Sequence, residues 1–189
     1  MNAQSFEQGK NYVEFDLGLG LYTDVTNDIR FNSFSRTYKD QAASTIIGLQ
    51  YERAVTNVMG IGLRVASQKY LDSAGKDNVD ASNFDVGLVV YAHFLSAKKV
   101  DLYANLTLGL TSLKIDDNRS SAKYEGNGSY VNLGLGARFF LGNSLYLSPK
   151  LEYSSMNVTG DYLNVFNNEV KGEWSAKGTI HSIGLGVKI

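Results

Sequence analysis

In "DLYANLTLGL", residues 101–110, apolar and polar residues alternate. Leu102, Ala104, Leu106, Leu108 and Leu110 share one side, and Asp101, Tyr103, Asn105, Thr107 and Gly109 share the other. Successive side chains of a strand point to opposite faces, so this period predicts a strand with one greasy and one polar face. The same pattern recurs in "YVEFDLGLGLY" (12–22), "ASTIIGLQYE" (43–52), "MGIGLRVASQ" (59–68) and "FDVGLVVYAHF" (84–94). It returns in "YVNLGLGARFF" (130–140), "LYLSPKLEY" (145–153) and "HSIGLGVKI" (181–189), which makes eight predicted strands. The apolar faces read Val13, Phe15, Leu17, Leu19 and Leu21 in the first and Ile183, Leu185, Val187 and Ile189 in the last.

The polar faces decide which side is inside. They carry Glu14, Asp16, Glu52, Arg64, Asp85, Asp101, Arg138, Lys150, Glu152 and Lys188, interleaved with glycines such as Gly18, Gly60, Gly134 and Gly184. A solvated outer face favours lysine, glutamate and threonine and gains nothing from rows of glycine. A crowded, curved interior does, and an eight-stranded barrel is only just wide enough to be filled by side chains. Glycine would make room there for Tyr12, Tyr22, Tyr91, Tyr103 and Phe140. The leucines then face outward, into lipid, and each segment is near the ~9–11 residues that a tilted membrane strand needs. The inverse reading is a soluble eight-stranded barrel that buries its leucines around an apolar ligand. It must treat Glu14, Asp16, Arg64 and the glycine rows as a solvent surface.

The breaks between segments alternate in length. "RAVTN", "LSAKKV" and "LGN" are short, whereas the breaks near 23–42, 69–83, 114–129 and 155–178 are long and polar. Short turns at one end and long loops at the other characterise outer-membrane barrels. Pro149 falls inside the seventh segment, where a closed barrel has no free edge, so a local bulge is expected there.

Composition narrows the field further. The chain of 189 residues has no cysteine, one proline, 12 tyrosines and a net charge of −1. That removes disulfides and thiolate metal sites, and gives no basic footprint for nucleic acid. No apolar run reaches the 18 residues of a membrane helix, which leaves barrels open. The opening residues "MNAQSFEQGK" lack a charged and apolar leader, so residues 1–10 are expected to be the tail of a mature chain, followed by a barrel at 11–189.

These residues resemble the small eight-stranded outer-membrane barrels of Gram-negative bacteria, the OmpA transmembrane-domain and OmpX type. The resemblance covers about residues 10–189. In its terminal motif, Ser182, Gly184, Val187 and Ile189 of "SIGLGVKI" occupy the slots of the family's C-terminal strand signal, with aliphatics where the family prefers aromatics. It implies an all-β fold: an eight-stranded antiparallel up-and-down transmembrane β-barrel with four long extracellular loops and short periplasmic turns. It also implies outer-membrane lipid and lipopolysaccharide as surroundings, and an encounter with the barrel-assembly machinery.

Candidate chemistry is sparse. The inward charges are expected to form a salt-bridge network that plugs the lumen, since buried charges persist when paired; an ion path is the alternative. The GxG repeats lack the third glycine and the strand-to-helix turn of a dinucleotide site. His93 points inward and His181 outward, and neither has a second histidine for a metal site, so no cofactor is expected. Phe31, Phe34, Tyr38, Tyr162, Phe166 and Trp174 are too apolar for idle loops, and suggest a recognition surface for an extracellular protein or glycan. The expected role is therefore non-catalytic: a structural membrane barrel with loop-mediated interactions. The alternatives are a narrow channel, a hydrophobic small-molecule carrier like OmpW-type barrels, or a lipid-modifying barrel enzyme.

Overall fold

The computed structural model describes residues 5–31, 34–71, 79–97, 99–117, 122–163 and 169–189. Eight strands form a closed barrel in chain order: β1 (Asn11–Phe31), β2 (Phe34–Ala54), β3 (Met59–Leu71), β4 (Val79–Ser96), β5 (Val100–Asp117), β6 (Ala122–Phe140), β7 (Leu145–Leu163) and β8 (Glu169–Lys188). Every neighbouring pair is antiparallel, and β8 closes on β1 from Tyr12↔Lys188 to Arg30↔Lys171. The carboxy-terminal signal residues Ser182, Gly184 and Val187 lie in that closing ladder, next to Gly18, Asp16 and Val13, and Ile189 follows β8. Closing β8 on β1 leaves no free edge strand in the wall.

The leucines of β5 face outward: Leu106, Leu108 and Leu110 are 41%, 55% and 71% exposed. Phe15, Leu17, Ile47, Leu63, Leu88, Leu133, Leu151 and Leu185 continue them into an apolar belt around the barrel. The soluble, leucine-inside reading is thereby overturned. From Val13 to Leu21 the belt spans eight residue steps of β1, about 20 Å of height after a tilt of ~40°.

Two expectations change. The four long breaks are largely strand. β1 reaches Phe31 and β2 starts at Phe34, β7 reaches Leu163, and β8 starts at Glu169. These extensions keep the alternation but swap the faces. In β5, outward Leu110 gives way to outward Lys114, while Leu113 turns inward. In β7, outward Tyr153 gives way to Asn157 and Asp161, while Met156 and Val158 turn inward. The barrel therefore has two storeys. The lower one is apolar outside and polar inside, and the upper one, here called the collar, is polar outside and apolar inside. A bulge in β1 between Tyr22 and Val25 shifts the register against both neighbours, so even-numbered residues point inward below it and odd-numbered ones above.

The bulge expected at Pro149 does not occur. Its pairing with Ile183 of β8 is kept. The ladder to β6 skips from Gly136↔Lys150 to Phe139↔Leu147 without a change of register. A proline lacks only its own N–H, and this wall absorbs the gap without inserting a residue.

Candidate functional site

The lower storey holds buried polar side chains in two hydrogen-bonded groups. Arg138 sits at the centre of the first, donating from Nη2 to Glu52 Oε2, with Asp101 Oδ2 at 3.6 Å and Glu14 Oε2 at 3.8 Å. Four tyrosine rings surround its guanidinium, with centroids 4.8 Å (Tyr12), 4.8 Å (Tyr103), 5.2 Å (Tyr146) and 5.7 Å (Tyr91) away. Two glycines make this cage possible: a methyl group on Gly136 would strike the Tyr103 ring, and one on Gly186 the Tyr146 ring. Lys150 lies 2.7 Å from Glu14 Oε1 and 2.6 Å from Asp16 Oδ1. Gln50 donates to Asp16 and accepts from Tyr91 at 2.7 Å. Higher up, Arg64 donates to Glu152 Oε2 at 2.8 Å, and Asn105 donates to its other oxygen at 2.7 Å.

The ten predicted interior charges divide as follows. Glu14, Asp16, Glu52, Asp101, Arg138 and Lys150 share one network, and Arg64 and Glu152 pair with each other above it. Asp85 is buried but held by amides, accepting from Gln68 at 2.8 Å and from Asn83 at 2.6 Å. Lys188 sits at the lower rim, only partly buried, 3.5 Å from Glu7. Among the described residues, the six buried carboxylates outnumber the buried fixed cations Arg64, Arg138 and Lys150.

His93 joins this network, which the charge pattern alone did not reveal. Its Nδ1 lies 2.9 Å from Asp101 Oδ1 and its Nε2 2.9 Å from Glu52 Oε1. A neutral imidazole has a single N–H, so both contacts become hydrogen bonds only with an extra proton on the ring or on a carboxyl. The signal was its inward parity on β4 beside inward Glu52 and Asp101.

Above lies a floor of hydrogen bonds. Tyr22 donates to Gln68 Oε1 at 2.7 Å, and Gln68 and Asn83 hold Asp85. Over the floor, the collar interior is apolar. Tyr22, Tyr70, Leu113, Tyr124, Met156, Val158 and Trp174 form one buried cluster. Trp174 meets Tyr70 edge-on, with centroids 5.7 Å apart. A cavity of about 250 Å³ opens beside them, walled mainly by apolar side chains such as Val25, Leu113, Ile115 and Trp174, together with Asp40 and Gln41. Near the rim, Asn27 donates to the Tyr162 hydroxyl at 2.6 Å. Burial pushes the Tyr124 and Tyr162 hydroxyls above the ordinary tyrosine range.

The predicted recognition aromatics therefore lie elsewhere than in free loops. Trp174 is buried inside β8, and Tyr162 is half-buried on the inward side of β7. Both belong to strands, and the face swap is what hides the alternation at 155–178. The side chains of Phe31, Phe34 and Tyr38, and the whole of Phe166, fall outside the described residues. His181 faces outward, 3.3 Å from the Thr179 hydroxyl.

The sequence profile described as "Outer membrane protein beta-barrel domain" matches residues 1–188. Curated protein sequences give no match. Among solved structures, the outer membrane protein OprG from Pseudomonas aeruginosa superposes with a TM-score of 0.76 at 14% identity, covering 97% of each chain. The N-terminal β-barrel domain of OprF from the same organism gives 0.52 at 14% identity, covering 96% of this chain and 98% of that one. Neisserial surface protein A gives 0.52 at 14% identity, covering 92% and 99%.

Proposed function

Because the chain belongs to the outer membrane protein beta-barrel domain family and is thus an integral protein of the bacterial outer membrane, we propose that it is a non-catalytic carrier for small apolar molecules. The observation that carries this reading is the mainly apolar cavity in the collar, set directly on a polar floor. A small hydrophobic molecule entering from outside gains by leaving water for Val25, Leu113, Ile115 and Trp174. It gains nothing by continuing down the axis, where it would have to displace the Arg64, Lys150 and Arg138 ion pairs. The alternative role, a recognition surface of outward aromatics, draws less support because Tyr162 and Trp174 turn inward.

Trp174 is the chain's single tryptophan and lines the cavity, so it reports occupancy directly. Titrating the folded barrel with a short brominated alkane should quench it saturably. Ala81→Arg, on the cavity rim, should convert that curve to the linear quenching of simple partitioning. Linear quenching in the native barrel, or an unchanged curve in the variant, would reject the carrier reading.

A further inference from the structure

Below the network, the first described residues do not trail away. The chain turns back under β1 at Gly9, whose φ of +82° lies in the left-handed region that favours glycine. It then runs into the lower mouth of the barrel. The Phe6 ring is fully buried, stacked on the His93 imidazole at 3.5 Å between centroids and 12° between planes. Tyr12, Ala54, Phe140 and Tyr146 complete its socket. Hydrogen bonds to four strands hold the segment. Ser5 donates to the Val100 carbonyl at 3.0 Å, and Phe6 N–H donates to Ser96 Oγ at 2.9 Å. The Tyr12 hydroxyl donates to the Ser5 carbonyl at 3.1 Å, and Gly9 N–H donates to the Ala54 carbonyl at 2.9 Å. Glu7 adds its ion pair to Lys188.

We propose that residues 5–10 are a built-in stopper for the periplasmic mouth, with Phe6 as its seal, and that releasing it opens a vestibule walled by His93, Glu52 and Asp101 to the periplasm. The seal follows from the stack, since His93, with Glu52 and Asp101 on its two ring nitrogens, lies directly behind Phe6. The segment is held by short hydrogen bonds and one ring, with no strand ladder of its own, so it can leave while the barrel stays closed on itself.

The chain has no cysteine, so one introduced thiol is an unambiguous probe. Ala54→Cys puts it in the Phe6 socket, where Ala54 is 1% exposed. Folded barrel, confirmed by its heat-modifiable gel mobility, is treated with cationic or anionic methanethiosulfonate reagents. With Phe6 present, both should react slowly. Adding Phe6→Gly, or separately Gly9→Val to spoil the turn without touching the socket, should speed both reagents at least tenfold. Fast reaction with Phe6 in place, or an unchanged rate in both variants, would overturn the seal.

Discussion

At the scale of residues, the lower lumen depends on a few charges that cannot be removed singly. Arg138 is buried against Glu52 and caged by tyrosines. Arg138→Met takes the guanidinium partner from Glu52 and weakens the balance around Asp101 and Glu14, and is expected to cost about 3–5 kcal/mol. Adding Glu52→Leu should recover part of that loss, since replacing a buried pair with apolar groups is often near neutral. Urea unfolding in lipid vesicles, followed through Trp174 fluorescence, measures both; equal losses in the single and double variants would show that the pair is not the unit. Gly136→Ala tests the cage from its other side. The new methyl must push Tyr103 off the guanidinium, at a cost of about 1–3 kcal/mol in the same assay.

At the scale of elements, the lower half of each strand was legible in the sequence because a period of two with leucines on one face admits few readings. Leu106, on the outward face of β5, tests that half. Leu106→Arg at mid-belt should cost roughly 2–4 kcal/mol in a bilayer, and an unchanged stability would contradict the outward belt. The upper halves were not legible as strand, for a physical reason. Past the belt, water replaces lipid outside and the interior becomes apolar, so the alternation continues with its sense inverted. In β1 the bulge after Tyr22 also breaks its phase. A reading keyed to leucine-out, polar-in stops at Leu21, Leu110 and Tyr153 and takes Trp174 and Val158 for loop. The interior charges were readable from parity alone, and their partners were not. Parity says that His93, Glu52 and Asp101 point inward, but their meeting depends on the stagger between β2, β4 and β5. The seal was hidden as well, because Phe6 reaches its socket through a turn that no periodicity announces.

At the scale of the molecule, three closures lie one above another: the Phe6 stopper, the Arg138 and Lys150 network, and the Asp85 floor. Native barrel in a planar bilayer should therefore show no discrete conductance steps, with gel mobility confirming that folded protein is present. Reproducible steps would mean that a continuous water path runs past all three. Releasing the stopper alone is expected to admit reagents to the vestibule and still leave the bilayer silent, because the two closures above it remain.

The two-storey wall also bears on how the protein reaches its place. The collar carries exposed Asp24, Lys39, Lys69, Asp80, Lys114, Glu125, Asp161 and Lys171 on its outer surface. It rises about 15–20 Å above the belt, judged from Asp24 to Phe31 of β1. A barrel approaching from the periplasm must drag this charged ring through hydrocarbon before the belt can settle. Once across, the ring resists being drawn back by the same desolvation cost. It acts as a barb, so insertion is slow and one-way, and the orientation of the finished protein is held by a kinetic barrier as much as by the lipid that the belt prefers.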